Sequence, residues 1–128
     1  MQHNELSSKI IAAAIEVHRE LGPGLLESIY EQCLAQELRD NGLLVEQQVV
    51  VPVRYKGREL GTVMRLDMRI ERLIIVEVKA IEAFHGAHVA QLLTYLKLTD
   101  CQLGLLINFN EALLKHGIRR VVNGLVEV

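Results

Sequence analysis

Between residues 5 and 21, apolar side chains return at helical spacing, with Ile10, Ile11, Ala14, Ile15 and then His18 on one stripe. Asn4, Ser7 or Ser8 is available to cap the start, and Gly22-Pro23-Gly24 ends the pattern. A second helix is predicted over 25–39, where Leu26, Tyr30, Leu34 and Leu38 align and Asn41-Gly42 supplies the stop. The period then changes to two. Strands are predicted over 45–55, 59–67 and 73–80, joined by a Lys56-Gly57 turn and a reversal at 68–72, which makes a three-stranded meander. Residues 85–98 return to helical spacing, with Val89, Leu92, Leu93 and Leu96 beside a polar stripe. A buried strand over 103–109 and a shorter one over 118–122 complete the chain. The order α-α-β-β-β-α-β-β predicts an α/β architecture, a mixed sheet flanked by helices. No repeat or linker interrupts it, so residues 1–128 are expected to form a single domain.

The most informative stretch is Leu73-Ile74-Ile75-Val76-Glu77-Val78-Lys79-Ala80. Side chains alternate across a strand, so Ile74, Val76, Val78 and Ala80 share an apolar face, while Leu73, Ile75, Glu77 and Lys79 share one that turns charged. A strand apolar on both faces is central in its sheet, where charges need a partner. A bland account has Glu77 and Lys79 leaving the sheet into solvent. Arg65-Leu66-Asp67 argues otherwise, because it ends the preceding strand with a second acid. An odd number of loop residues would set Asp67 opposite Glu77, whereas a two-residue Glu71-Arg72 loop would set it on the other face. Glu-Arg suits a tight primed turn badly, which favours the odd loop and converging carboxylates. Such a pair persists mainly when a cation holds it, and oxygen ligands suit Mg²⁺ or Mn²⁺ rather than zinc. With Lys79 on the same face, these are the parts for metal-assisted phosphodiester hydrolysis.

Half of the 128 residues are apolar and 23% are charged, which excludes a disordered chain. Aromatics are only 4%, so the core must come from aliphatic residues. The formal charge of −2 argues against indiscriminate duplex binding, so an anionic partner must meet a local patch. Two such patches are Arg54, Lys56 and Arg58 around Tyr55, and Lys115, His116, Arg119 and Arg120. Cys33 and Cys101 have no partner at zinc spacing and read as buried thiols in a reducing cytoplasm. Without a basic opening segment or an apolar run near 18 residues, neither a signal peptide nor a membrane span is expected.

Asp67, nine intervening residues and Glu77-Val78-Lys79 resemble the PD-(D/E)XK nuclease signature, and the element order is similar to the restriction-endonuclease-like core of that superfamily. Gly24-Leu25-Leu26-Glu27-Ser28-Ile29-Tyr30 resembles the motif of its GxxExxY branch. The likeness continues through Tyr55-Lys56-Gly57, Ala80, His88, Gln91 to Leu96, Leu105 to Phe109 and Gly117 to Arg120, nearly the whole chain. Leu66 replaces the Pro of the superfamily name, and Asn110 stands where Gly is usual. The resemblance implies that Asp67, Glu77 and Glu27 bind Mg²⁺ (or Mn²⁺), that Lys79 is catalytic, and that Gln91 and Tyr95 match a Gln-x-x-x-Tyr pattern of RecB-like exonucleases.

The residues also admit plainer readings. Glu27 suits a first helical turn through the helix dipole, and Tyr30, an auxiliary site candidate through the GxxExxY motif, also continues into the core stripe of Leu34 and Leu38. His88, Gln91 and Tyr95 fall at i, i+3 and i+7, a hydrogen-bonding stripe expected to border the site, with His88 as a phosphate contact. The other histidines have no spacing partner. Two functions compete: a nuclease acting on DNA or RNA, and an inactive nuclease-fold module binding nucleic acid or protein. The small surface suggests a homodimer or partner protein; an unrelated α/β domain would require every motif to be accidental.

Overall fold

The computed structural model describes residues 1–126; Glu127 and Val128, the end of the expected domain, lie outside them. Two helices, α1 (His3–Leu21) and α2 (Glu27–Asp40), precede β1 (Val45–Tyr55), β2 (Arg58–Ile70) and β3 (Ile74–Lys79). Then come α3 (Gly86–Thr99), β4 (Leu103–Asn108), a 3₁₀ turn (Leu114–Gly117) and β5 (Ile118–Val122). The five strands form one sheet in chain order, antiparallel except for the β3–β4 pair, which is parallel. Parallel neighbours need a crossover, and α3 provides it.

Alternation along β3 divides the core. Ile74, Val76 and Val78 pack with Leu6, Ile10 and Ala14 of α1 and Tyr30, Leu34 and Leu38 of α2. Ile75 packs on the opposite face with Leu92, Tyr95 and Leu96 of α3. Covered on both faces, β3 and β4 are almost wholly buried, as their unbroken apolar runs require.

Several expectations need correction. Gln2, rather than Asn4, Ser7 or Ser8, stands at the start of α1, and the Ser8 hydroxyl donates to the Asn4 carbonyl inside the helix. Ile15 is exposed, while Leu6, Ala13 and Val17 complete the buried stripe. Half-buried His18 is held through Nε2 by the Glu111 carbonyl at 2.8 Å. Leu26 is 70% exposed because α2 begins after it.

The reversal after Asp67 also falls later than expected. Met68 and Ile70 continue β2 because both are buried under α1 and α2. The loop is Glu71-Arg72-Leu73, an odd number, and Ile70 pairs with Ile74. Contrary to the expectation for Glu-Arg, Glu71 (φ 52) and Arg72 (φ 56) both take the left-handed conformations of a primed turn. Leu44 secures the turn by accepting from the Glu71 N–H and donating its own N–H to the Glu71 carboxylate, both at 2.9 Å. Glu46 adds a two-point pair with Arg69.

Candidate active site

Glu77 lies on the α3 side of β3, 4% exposed, at the point where pairing with β2 ends. Regular β2–β3 pairing stops at Met68 and Val76. Beyond it the two acids exchange bonds across the strands: the Asp67 N–H donates to Glu77 Oε2 at 2.7 Å, and the Val78 N–H donates to Asp67 Oδ2 at 2.8 Å. Each carboxylate thus replaces a ladder carbonyl, and the two acids converge as the odd loop requires.

The second oxygen of each carboxylate takes no part in these bonds. Among the described residues no buried side-chain nitrogen or oxygen lacks a hydrogen-bond partner, so Oε1 of Glu77 retains a route to solvent.

Burial, first, and the nearby Asp67 charge, second, push the Glu77 carboxyl up to about 8. The Asp67 N–H and the Lys79 charge oppose this without reversing it. Asp67 is also raised, chiefly by burial, with the Glu31 and Glu27 charges adding to it and the Val78 N–H and Lys79 opposing. Lys79 is half-buried and acts at a distance, making no ion pair within 4.0 Å among the described residues. Glu27, at the first turn of α2, reaches the end of the motif strand, where Oε1 accepts the Ala80 N–H at 3.3 Å.

Tyr95 joins from α3. It is 6% exposed, and its phenol is raised by burial first and then by the Glu77 and Asp67 charges. Its position differs from the expected polar stripe, because α3 turns Leu92, Tyr95 and Leu96 into the core and leaves Val89 exposed.

Three other candidates are placed differently. Gln91 is exposed one turn earlier on α3. His88 caps that helix, its Nδ1 accepting the His85 N–H at 3.0 Å, so this nitrogen is committed to structure. Tyr30 is fully buried and stacks on Phe109 with ring centroids 4.6 Å apart. Its hydroxyl donates to the Gly22 carbonyl at 2.5 Å and accepts the Leu25 N–H at 3.1 Å, pinning the loop before α2.

Two contributors escaped the sequence reading. Glu31 bears on both carboxylates, and the available signal was its place one turn after Glu27 on α2. Buried Asn108 clamps the chain as it leaves β3, bonding both the N–H and the carbonyl of Ile81 and accepting the Asn110 N–H. Asn110 thereby fits where a Gly was expected.

The donor set is hard oxygen, which suits a divalent cation such as magnesium or manganese. Among the described residues no three His, Cys, Asp or Glu side chains are already gathered to hold one. The fit therefore rests on two mutually repelling acids, buried Glu77 and half-buried Asp67, each with an oxygen outside the cross-strand bonds.

A chain of this topology, with two acids and a lysine at the splayed end of its central strand, has the class of fold found in metal-dependent nucleases. Residues 4–121 match the PD-(D/E)XK nuclease superfamily, and the chain belongs to it. Nothing among curated proteins or solved structures matches the chain. PD-(D/E)XK nucleases generally use divalent metals. No helix among the described residues is long and apolar enough to cross a membrane.

Proposed function

We propose that residues 1–128 act as one nuclease domain hydrolysing phosphodiester bonds of DNA or RNA with Mg²⁺ or Mn²⁺. The observation that carries this reading is the cross-strand exchange between Asp67 and Glu77, with Lys79 two residues beyond. Asp67 and Glu77 would hold the cation, with Glu27 at the edge. A bound divalent ion supplies a water of lowered pKa and neutralises charge on the phosphate. Lys79 orients the attacking water or stabilises the developing oxyanion. Tyr95 covers the α3 side of the carboxylates and excludes water there. The half-buried Cys33 and buried Cys101, both free, are in keeping with a cytoplasmic protein.

Calorimetric titration with Mg²⁺ and Mn²⁺, paired with cleavage of single-stranded, duplex and branched substrates, tests the reading. Asp67→Asn and Glu77→Gln are expected to weaken cation binding because each removes a charge and preserves shape. Lys79→Ala is expected to leave binding equal or tighter, since it deletes a like charge, yet to lower turnover about 10²-fold. Cleavage that continues in excess chelator, or is unchanged in Lys79→Ala, overturns the assignment. The second reading is a binding module without activity, favoured by the charge of −2 and the lack of a gathered ligand triad among the described residues. Nucleic-acid binding with neither cation uptake nor cleavage would select it.

A further inference from the structure

Strands β1 and β2 exchange faces together at a single point. Val45, Met68 and Ile70 belong to the core under α1 and α2, whereas Val51 and Leu66, with Val49 and Met64 against them, belong to the core under α3. Residues an even number apart on a regular strand share a face. The alternation is therefore broken between Val45 and Val49 on one strand and between Leu66 and Met68 on the other. Pairing runs through Gln47 with Met68 and resumes at Val49 with Leu66, and no pair joins Gln48 to Asp67. Gln48 has φ 50, a left-handed conformation that residues other than Gly rarely adopt.

The Glu31 carboxylate receives bonds from both residues of this turn. Neighbours on a regular strand point to opposite faces, yet the side-chain amides of Gln47 and Gln48 both donate to the one Glu31 carboxylate, each at 2.9 Å. Arg39 fixes Gln47 in turn, donating to its Oε1 at 2.9 Å. Two neighbouring amides thus meet one carboxylate of α2 across a turned backbone.

The facing segment of β2 departs from alternation as well. The Ile70 carbonyl accepts the Leu73 N–H and so faces β3; unbroken alternation from there would aim the Asp67 N–H at β1. It donates instead to Glu77, on β3.

We propose that Glu31 and Gln48 are positioning residues for Asp67. The Glu31 clamp holds β1 in its left-handed turn, the facing segment of β2 turns with it, and the Asp67 peptide swings from β1 to the Glu77 carboxylate. The role of the two acids rests on the nuclease reading; the clamp itself does not.

The test uses the Asp67 amide signal and its hydrogen exchange in the metal-free protein, with Mn²⁺ affinity by calorimetry as a second readout. Gln48→Gly tolerates the left-handed backbone and is expected to keep the Asp67 amide signal, with Mn²⁺ affinity within about threefold. Gln48→Val disfavours that backbone and is expected to lose the protected amide and weaken Mn²⁺ about 10- to 100-fold. Glu31→Ala should behave like Gln48→Val, and adding Gln48→Gly to it should recover both readouts. Failure of that rescue would make Glu31 a charge or ligand and overturn the proposal. So would a Gln48→Val protein, folded by circular dichroism, that keeps its Asp67 amide and Mn²⁺ affinity. Should Gln48→Val not fold, the Glu31→Ala pair decides alone. If the parent binds no Mn²⁺, the nuclease reading fails while the Asp67 amide still reports on the clamp.

Discussion

The buried carboxyl of Glu77 makes the stability of this protein depend on pH in an unusual direction. Its folded value is raised from the ordinary 4.5 to about 8, so between those limits the folded chain holds a proton that the unfolded chain has released. Stability of the metal-free protein is therefore full below about pH 4.5 for this group, falls as pH rises towards 8, and levels above it. The loss is on the order of a few kcal/mol, with Asp67 adding in the same sense. Glu77→Gln, which stays neutral, is expected to flatten this dependence and to melt above the parent at pH 9, as read by thermal unfolding at pH 5, 7 and 9. A parent whose melting temperature rises between pH 5 and 8 would contradict the burial argument. Divalent cation should reverse the slope, because it supplies the opposite charge that the folded pair lacks.

The end of β3 is held by bonds beyond the exchange between Asp67 and Glu77. Asn108 on β4 bonds both sides of the Ile81 peptide, the Phe109 N–H donates to the Lys79 carbonyl, and Glu27 takes the Ala80 N–H. Removing the buried Asn108 amide strands the Ile81 groups it satisfies. Asn108→Ala is accordingly expected to cost about 2–3 kcal/mol in urea unfolding. Tyr30→Phe keeps the stacking on Phe109 and loses only the hydroxyl bonds to Gly22 and Leu25, for an expected cost of about 1 kcal/mol. Neither the cation affinity nor the turnover of Tyr30→Phe should change, since Tyr30 lies in the core rather than at the carboxylates. A tenfold loss of either would return Tyr30 to the site.

The β1–β2 hairpin extends well beyond the site. Arg58 at the start of β2 stands nine positions before Asp67, about 30 Å of strand, and Val50, Leu60 and Val63 are exposed along the hairpin. Its tip is basic. Arg54 is engaged by Glu59, whereas Lys56 lies over the Tyr55 ring and Arg58 makes no ion pair among the described residues. In a chain with charge −2 these are groups able to meet a phosphate backbone far from the carboxylates. If nucleic acid lies along the hairpin, replacing Lys56 and Arg58 together with Ala should reduce the slope of log affinity against log salt by about 1.8 for a duplex. A slope unchanged by the double substitution would place the substrate elsewhere.

Hydrophobic periodicity by itself determined the element order, the central place of β3 and the shared face of Glu77 and Lys79, because these follow from local geometry repeated over a few residues. It also determined that an odd loop would bring Asp67 to Glu77, although Glu71 and Arg72 reached that parity through left-handed backbone that residue preference argues against. Tertiary structure decided what depends on how one element is rotated against another. The setting of α3 put Tyr95 in the core and Gln91 in solvent, and the setting of α2 brought Glu31 to the carboxylates. Nothing in Gln47-Gln48 marks a change of face; that turn exists because Glu31 of α2 stands where both amides reach it. Side-chain direction within an element repeats with the chain, but contact between elements is fixed only when their apolar faces pack, and there the paired acids acquire their neighbours and their raised proton affinity.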